Sequence, residues 1–282
     1  FDEIRTGITA LKADYYLGDN TFEIVWVPVL TPTQMPGEGS IWQVTPDFPI
    51  QPTFSYGEKE VDDNLRNSEV FAKYSALTSL VDFEIVGGYM WDDDPAMHVT
   101  KVVDPDTHEL SSLIVIPRHH RLSLAGGSFS AALGGFVVRG EGGYYGGKYF
   151  SSNDPSITDG VVERDYLHYL LGVDHTLWDI RLSAQFIQQT TLDHDDQMVN
   201  DGFENTMTFL ARKDFLRETL HIELFSYVGL NNQDALIRPK ITYDLADGFE
   251  VLVGANVFVG NEGRFGQYND NDMIYSKVKY SF

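Results

Sequence analysis

The chain has 282 residues, a net charge of −22, 25 Gly, 15 Tyr, 18 Phe and no Cys. A charge of that sign excludes nucleic acid as a partner, because a polyanion repels it. The mean hydropathy of −0.21 looks soluble and no apolar run reaches the roughly 18–20 residues of a transmembrane helix, yet alternating strands hide from such an average. The lack of Cys fits an oxidising compartment. With no signal peptide and a first residue Phe1, a processed or truncated chain is expected.

Residues 8–17 read as a strand that turns at Gly18-Asp19-Asn20. Phe22, Ile24 and Trp26 then alternate with Glu23, Val25 and Val27, and Pro28 ends the strand. Residues 31–67 are proline-rich and too long for a passive connection. Trp42, Phe48, Phe54 and Tyr56 predict that this loop packs, outside the regular wall, and restricts a mouth or lumen. A strand at 70–76 turns at 77–80. Val81, Phe83, Ile85, Gly87, Tyr89 and Trp91 next alternate with Asp82, Glu84, Val86, Gly88 and Met90, and the apolar face ends on an aromatic pair suited to an interfacial girdle. Asp92-Asp93-Asp94-Pro95 opens a second long loop, with a small hairpin at 98–103 and 110–116 around Asp104-Pro105-Asp106. Strands at 120–130 and 136–145 flank Leu133-Gly134-Gly135, and a loop spans 146–163. Strands at 166–174 and 178–188 flank His175-Thr176-Leu177; those at 203–211 and 220–228 flank Lys213-Asp214-Phe215. Residues 235–245 and 249–259 form a hairpin at Ala246-Asp247-Gly248, and a polar loop, 260–270, leads to the last strand. There Ile274, Ser276, Val278, Tyr280 and Phe282 share one face, and Met273, Tyr275, Lys277, Lys279 and Ser281 the other.

Short connections thus alternate with long or acidic ones at 31–67, 92–118, 146–163, 190–202 and 260–270. Outer-membrane barrels have this asymmetry, with short periplasmic turns and long outer loops. The expected fold is all-β: one transmembrane antiparallel β-barrel domain over 1–282, of about 14 strands with about 13 visible. Single-chain bacterial barrels usually have an even number of strands, so either one precedes Phe1 or one escapes the count. Val278, Tyr280 and the terminal Phe282 resemble the C-terminal strand that the barrel assembly machinery recognises in bacterial outer-membrane β-barrels. Two more stretches resemble parts of large proteobacterial outer-membrane proteins grouped as a domain family of unknown function. One runs from Ala13-Asp14-Tyr15-Tyr16 through Trp26-Val27-Pro28. The other runs from His119-His120-Arg121-Leu122-Ser123-Leu124-Ala125-Gly126-Gly127 through Arg139-Gly140-Glu141-Gly142-Gly143-Tyr144. The resemblances imply the bacterial outer membrane, with its lipid and lipopolysaccharide and the assembly machinery as partners. Members of that family are often longer, which again implies sequence upstream.

In this register Lys73, Arg139, Glu141, Arg181, Glu223, Arg238, Lys240, Glu250, Lys277 and Lys279 point into the lumen, as do Asp82, Glu84 and Asp179. A lipid-facing Arg or Lys at the midplane costs roughly 2–4 kcal/mol, which enforces the sorting. The charges could set a transverse field that selects solutes, or simply form a salt-bridged wall. Near the closing strands the four basic residues Arg238, Lys240, Lys277 and Lys279 exceed Glu223 and Glu250 by about two charges, which would favour anionic or zwitterionic solutes in the periplasmic half. Acidic loops (92–94, 193–196, Asp270 and Asp272) offer oxygen ligands for divalent cations, against a reading as solvated charge. His119-His120 and Asp193-His194-Asp195 lack a defined metal partner, so no metal site is expected. His168 and His221 face the lumen without an evident Ser, so no catalytic residue, no enzyme and no cofactor are expected. Gly126-Gly127, Gly134-Gly135 and Gly142-Gly143 read as bends or bulges. The functional expectation is a porin-like channel for passive passage of small solutes or hydrophobic molecules. The alternatives are a non-conducting structural or complex-forming barrel, and a barrel enzyme.

Overall fold

The structure, a computed structural model, describes residues 7–37, 39–43, 52–55, 61–104, 106 and 110–282. Phe48 and Tyr56 of the first long loop, and Pro105 of the hairpin, lie outside the described residues. The strands are β1 (Leu11–Leu17), β2 (Asn20–Val27), β3 (Thr53–Phe54), β4 (Glu69–Ala76), β5 (Asp82–Trp91), β6 (Ala96–Val103), β7 (Leu110–Arg118) and β8 (Arg121–Leu133). They continue as β9 (Phe136–Ser151), β10 (Val161–Leu177), β11 (Ile180–Thr191), β12 (Phe203–Phe215), β13 (Leu220–Gly229), β14 (Asp234–Ala246), β15 (Phe249–Val259) and β16 (Met273–Tyr280). Thirteen form one sheet, in the order β1-β2-β4-β5-β8-β9-β10-β11-β12-β13-β14-β15-β16. Every pairing within it is antiparallel. Its edges, β1 and β16, run in the same direction because thirteen is odd and each neighbour reverses the chain.

The period-two pattern sorts the side chains between two faces. On β15, Val253 is 47% exposed, whereas Asn256 and Phe258 are 4% and 3% exposed. Ile24, Ile85, Leu171, Phe209, Ile222 and Ile241 continue the exposed apolar face across the sheet. In water, an apolar face of this size would be an aggregation site; in a bilayer it is the lipid surface. No helix among the described residues is long and apolar enough to cross a membrane. Spanning strands satisfy their backbone only when paired side by side, as these are except at the outer edges of β1 and β16. The described residues thus form an antiparallel sheet of the β-barrel type, with one apolar and one polar face.

The narrow end of each hairpin is a tight turn, and the structure moves two of them. The β10–β11 turn is Trp178-Asp179, with φ of 51° and 62°, not His175-Thr176-Leu177. Asp179, expected in the lumen, is therefore a turn residue. The β12–β13 turn follows Phe215 rather than containing Lys213-Asp214-Phe215, and Asp214 belongs to the wall. In both cases the left-handed positions are non-glycine residues, which a composition-based reading does not mark as turns. At the other end β9 and β10 run on past the belt, so the expected 146–163 loop shrinks to residues 152–160. Tyr149 pairs with Glu163 and Lys148 with Arg164, polar residues whose backbones still gain by pairing in water. The 92–118 insertion folds as β6 and β7, and β3 from the first loop adds to β7 in parallel, making a separate small sheet. The 260–270 loop carries a short helix, α1 (Gly263–Gly266), and a 3-10 turn at Asn269–Asn271.

Candidate functional site

The register brings charges on adjacent strands together on the inner face, near the narrow hairpin ends. Lys12 pairs with Glu23, and Lys73 lies 3.7 Å from Glu23 and 3.5 Å from Glu84. Arg139 pairs with Asp174 across β9 and β10. Arg181 reaches Asp214 at 3.0 Å, and Asp214 also takes Arg212 at 3.2 Å and His221 at 2.6 Å. Glu223 lies between Lys240 at 2.7 Å and Arg212 at 3.8 Å, and His221 is 3.5 Å from Asp244. Arg238 donates from Nε to the neutral Oδ1 of Asn256 at 3.0 Å. Lys279 stands opposite Glu250 in register and Lys277 opposite Leu252. Glu141 stands opposite Ser128 on one side and Leu170 on the other. The inner wall is thus laced with cross-strand pairs. Reading Asp214 as part of a turn concealed the cluster of Arg212, Asp214 and His221; correct alternation through Phe215 was the signal that could have found it.

Toward the outer end the concave face encloses a cavity of about 890 Å³. Met90, Leu122, Tyr145, Phe150, Tyr166 and His168 line it together with Asp92, Asp93, Asp94, Lys148, Asp201, Glu204 and Arg264. Tyr145 and Lys148 both line it although one is odd and the other even, because the β9 register slips there. Gly146 and Gly147 together oppose Asp165, and Gly147 has φ 87°. Lys148 Nζ lies 2.6 Å from Asp92, and Arg264 lies 3.8 Å from Glu204. Among the described residues, no Lys or Arg pairs with Asp93, Asp94 or Asp201. Burial first, then the negative neighbours Glu69, Asp92 and Asp94, pushes the Asp93 carboxyl up to about 6. The cavity is acidic on balance, with aromatic walls.

The first long loop crosses this outer end. Thr33 N donates to Asp93 O at 2.9 Å, where β5 ends. Farther along, the Trp42 ring lies 5.9 Å from Phe258 and 5.5 Å from Tyr268. Asn271 Nδ2 donates to Ile41 O at 2.5 Å. Phe258 is an inner-face residue of β15, so the loop reaches from the β5 side to the β15 side on the concave face. Trp42, one of its four sequence-flagged aromatics, carries the packing. Opposite, Asp234, only 2% exposed, accepts from Phe265 N at 2.6 Å and holds α1, which presents Arg264 to the cavity.

Of the acidic loop at 193–196, Asp193 and Asp195 are tied to Arg164. Asp195 Oδ2 accepts from Arg164 at 3.1 Å and Asp195 Oδ1 from Gln197 N at 2.9 Å, while Arg164 Nε donates to Asp193 O. Among the described residues no group of three or more His, Cys, Asp or Glu is placed to hold a metal ion, the acidic loops included. Val278 and Tyr280 are exposed on the apolar face, and Tyr280 stacks with Phe282 at 6.3 Å.

No family model and no curated protein matches the sequence. Among solved structures the chain is similar to an outer-membrane protein of Vibrio cholerae, OmpT. Its outer-membrane expressed form is 12% identical, with a TM-score of 0.44, covering 96% of this chain and 80% of that one. The in-vitro folded form is 13% identical, with a TM-score of 0.42, covering 96% and 88%. A loop L8 deletion mutant is 12% identical, with a TM-score of 0.44, covering 89% and 74%. Against these matches, the expectation that the chain is not an enzyme is not retained.

Proposed function

We propose that this protein is a porin-like channel that passes small polar solutes across the outer membrane and prefers cations at its outer mouth. The observation that carries the reading is the cavity of about 890 Å³ on the inner face, with Asp93, Asp94 and Asp201 in no ion pair with a Lys or Arg among the described residues. A low-dielectric wall around such carboxylates concentrates counter-ions and excludes anions. Farther in, Lys240 is neutralised by Glu223, and Arg238 donates to the amide oxygen of Asn256. Arg139, Arg181, Lys73 and Glu223 mainly hold the wall, each exposed pair contributing about 0–1 kcal/mol.

Planar-bilayer recording tests this. The folded protein should give discrete conductance steps, with a reversal potential in a salt gradient that indicates cation preference. Replacing Arg238 and Lys240 by Gln should shift it further toward cations. A folded barrel with neither conductance nor solute uptake in liposomes would overturn the reading. That outcome would favour a non-conducting barrel, to which the Trp42 loop seated on Phe258 and Tyr268 lends some support.

A further inference from the structure

The β3-β7-β6 sheet stands apart from the wall, and β6 packs against β9 and β10. At the contact, His98 of β6 meets His120, the residue before β8, with their Nε2 atoms 2.9 Å apart. His98 is buried, and its Nδ1 lies 3.2 Å from Asp159 Oδ2. The His120 ring is stacked on Tyr149, with centroids 3.7 Å apart and planes 16° apart. Val99 N donates to Asp159 O at 2.8 Å beside them. Two imidazole nitrogens at this distance share one proton: one ring donates and the other accepts on its lone pair. Protonating one ring keeps an N–H facing a lone pair, but protonating both sets N–H against N–H between two positive rings, a contact that cannot persist.

We propose that the His98–His120 pair is a proton-operated latch, which holds the β6–β7 hairpin on the barrel wall and releases it when both rings become protonated. The groups around it come from every element packed there. Arg118 of β7 adds positive charge. His119 is hydrogen-bonded through Nδ1 to Asp92 O at 2.8 Å. Asp92 is itself neutralised by Lys148 at 2.6 Å. Glu163 of β10 accepts from Tyr149 OH at 3.1 Å, and Asp159 holds the far side of His98. Burial, then His98 and Arg118, keeps the His120 imidazole below its ordinary range; Asp92 and Glu163 oppose this with smaller effects. A depressed value fixes the sign. Docking is complete above the ordinary imidazole value and is lost as pH falls through the lowered one. Release would reach the cavity, because Asp92 N donates to His120 O at 2.8 Å and Asp92, Asp93 and Asp94 line the chamber.

Hydrogen–deuterium exchange on the folded protein, corrected for intrinsic exchange, tests the latch without reference to conduction. Between about pH 8 and about pH 4.5, above the ordinary carboxylate range, protection over residues 96–103 and 110–118 should fall while β11–β13 stay protected. One linked proton limits the fall to about tenfold per pH unit. His120→Phe keeps a ring on Tyr149 but cannot titrate, so its hairpin protection should be lower and level with pH. Unchanged protection in the native chain, or the same pH dependence in His120→Phe, would overturn the proposal. Should that variant not fold, the imidazole proton resonances of the native chain decide. One coupled titration, with the second ring charging only as the hairpin opens, supports the latch; two independent titrations at ordinary values refute it.

Discussion

At the scale of single residues, the electrostatics of the mouth centre on Asp93. Its carboxyl stands among Glu69, Asp92 and Asp94, with its pKa raised to about 6. The raised value has a definite sign. Asp93 contributes stability that is complete below its unfolded value near 3.8 and is lost as pH rises through about 6. Above that point the ionised carboxylate adds a charge to a chamber already lined by Asp94 and Asp201. Cation preference, read as reversal potential in a salt gradient, should therefore rise between about pH 5 and about pH 7. Asp93→Asn should flatten that rise and should make the protein more resistant to denaturant above pH 6 than the native chain. A pH-independent reversal potential in the native channel would show that Asp93 faces no permeating ion.

At the scale of elements, alternation made the wall legible and the turns less so. Val251, Val253 and Val257 against Glu250 and Asn256 already state in the sequence which face meets lipid, and the burial of Asn256 beside exposed Val253 follows from it. Trp178-Asp179 and Leu216-Arg217-Glu218 were not legible as turns, because left-handed backbone at non-glycine residues has no compositional mark. Nor was the extension of β9 and β10 past the belt, where polar side chains conceal a paired backbone. The Asp247-Gly248 turn was legible, and its glycine has a second task. Gly248 has φ 75°, its carbonyl accepts from Ser281 N at 2.7 Å, and a Cβ there would lie 2.3 Å from Ser281 O. Gly248→Ala should therefore both strain the turn and push the end of the chain off the β14–β15 hairpin. A loss of about 1–3 kcal/mol is expected, by the left-handed penalty and overpacking together. Urea unfolding in lipid vesicles measures it, and the folded band on an unheated gel should weaken. A Gly248→Ala protein as stable as the native one would mean that Ser281 yields at no cost.

At the scale of the whole molecule, the curled sheet fixes a polar inner face, but the size of any passage is set by what lies across that face. The wall ladders involve no described residue of 31–43, yet this segment is held at both ends: Thr33 on Asp93 at the β5 side, and Trp42 on Phe258 and Tyr268 at the β15 side. The sequence marked the loop as one that packs, through its length and its aromatics, but could not say where, because the contact joins residues more than 200 positions apart. Trp42→Ala removes the ring that anchors the far end. Aromatic pairs of this kind are worth about 0.5–1.5 kcal/mol each beyond the area they bury, so two of them lost should free the loop without unfolding the barrel. Single-channel conductance should then rise and become noisier, because the loop swings on Thr33 instead of lying pinned across the mouth. The sign of ion preference should stay the same, since Asp93, Asp94 and Asp201 remain. The hydrogen bond from Asn271 to Ile41 O could retain part of the anchorage, and combining Trp42→Ala with Asn271→Ala should enlarge the effect. If both variants fold and conduct as the native protein does, the segment lies clear of the ion path and the constriction must be sought among the paired charges of the inner wall.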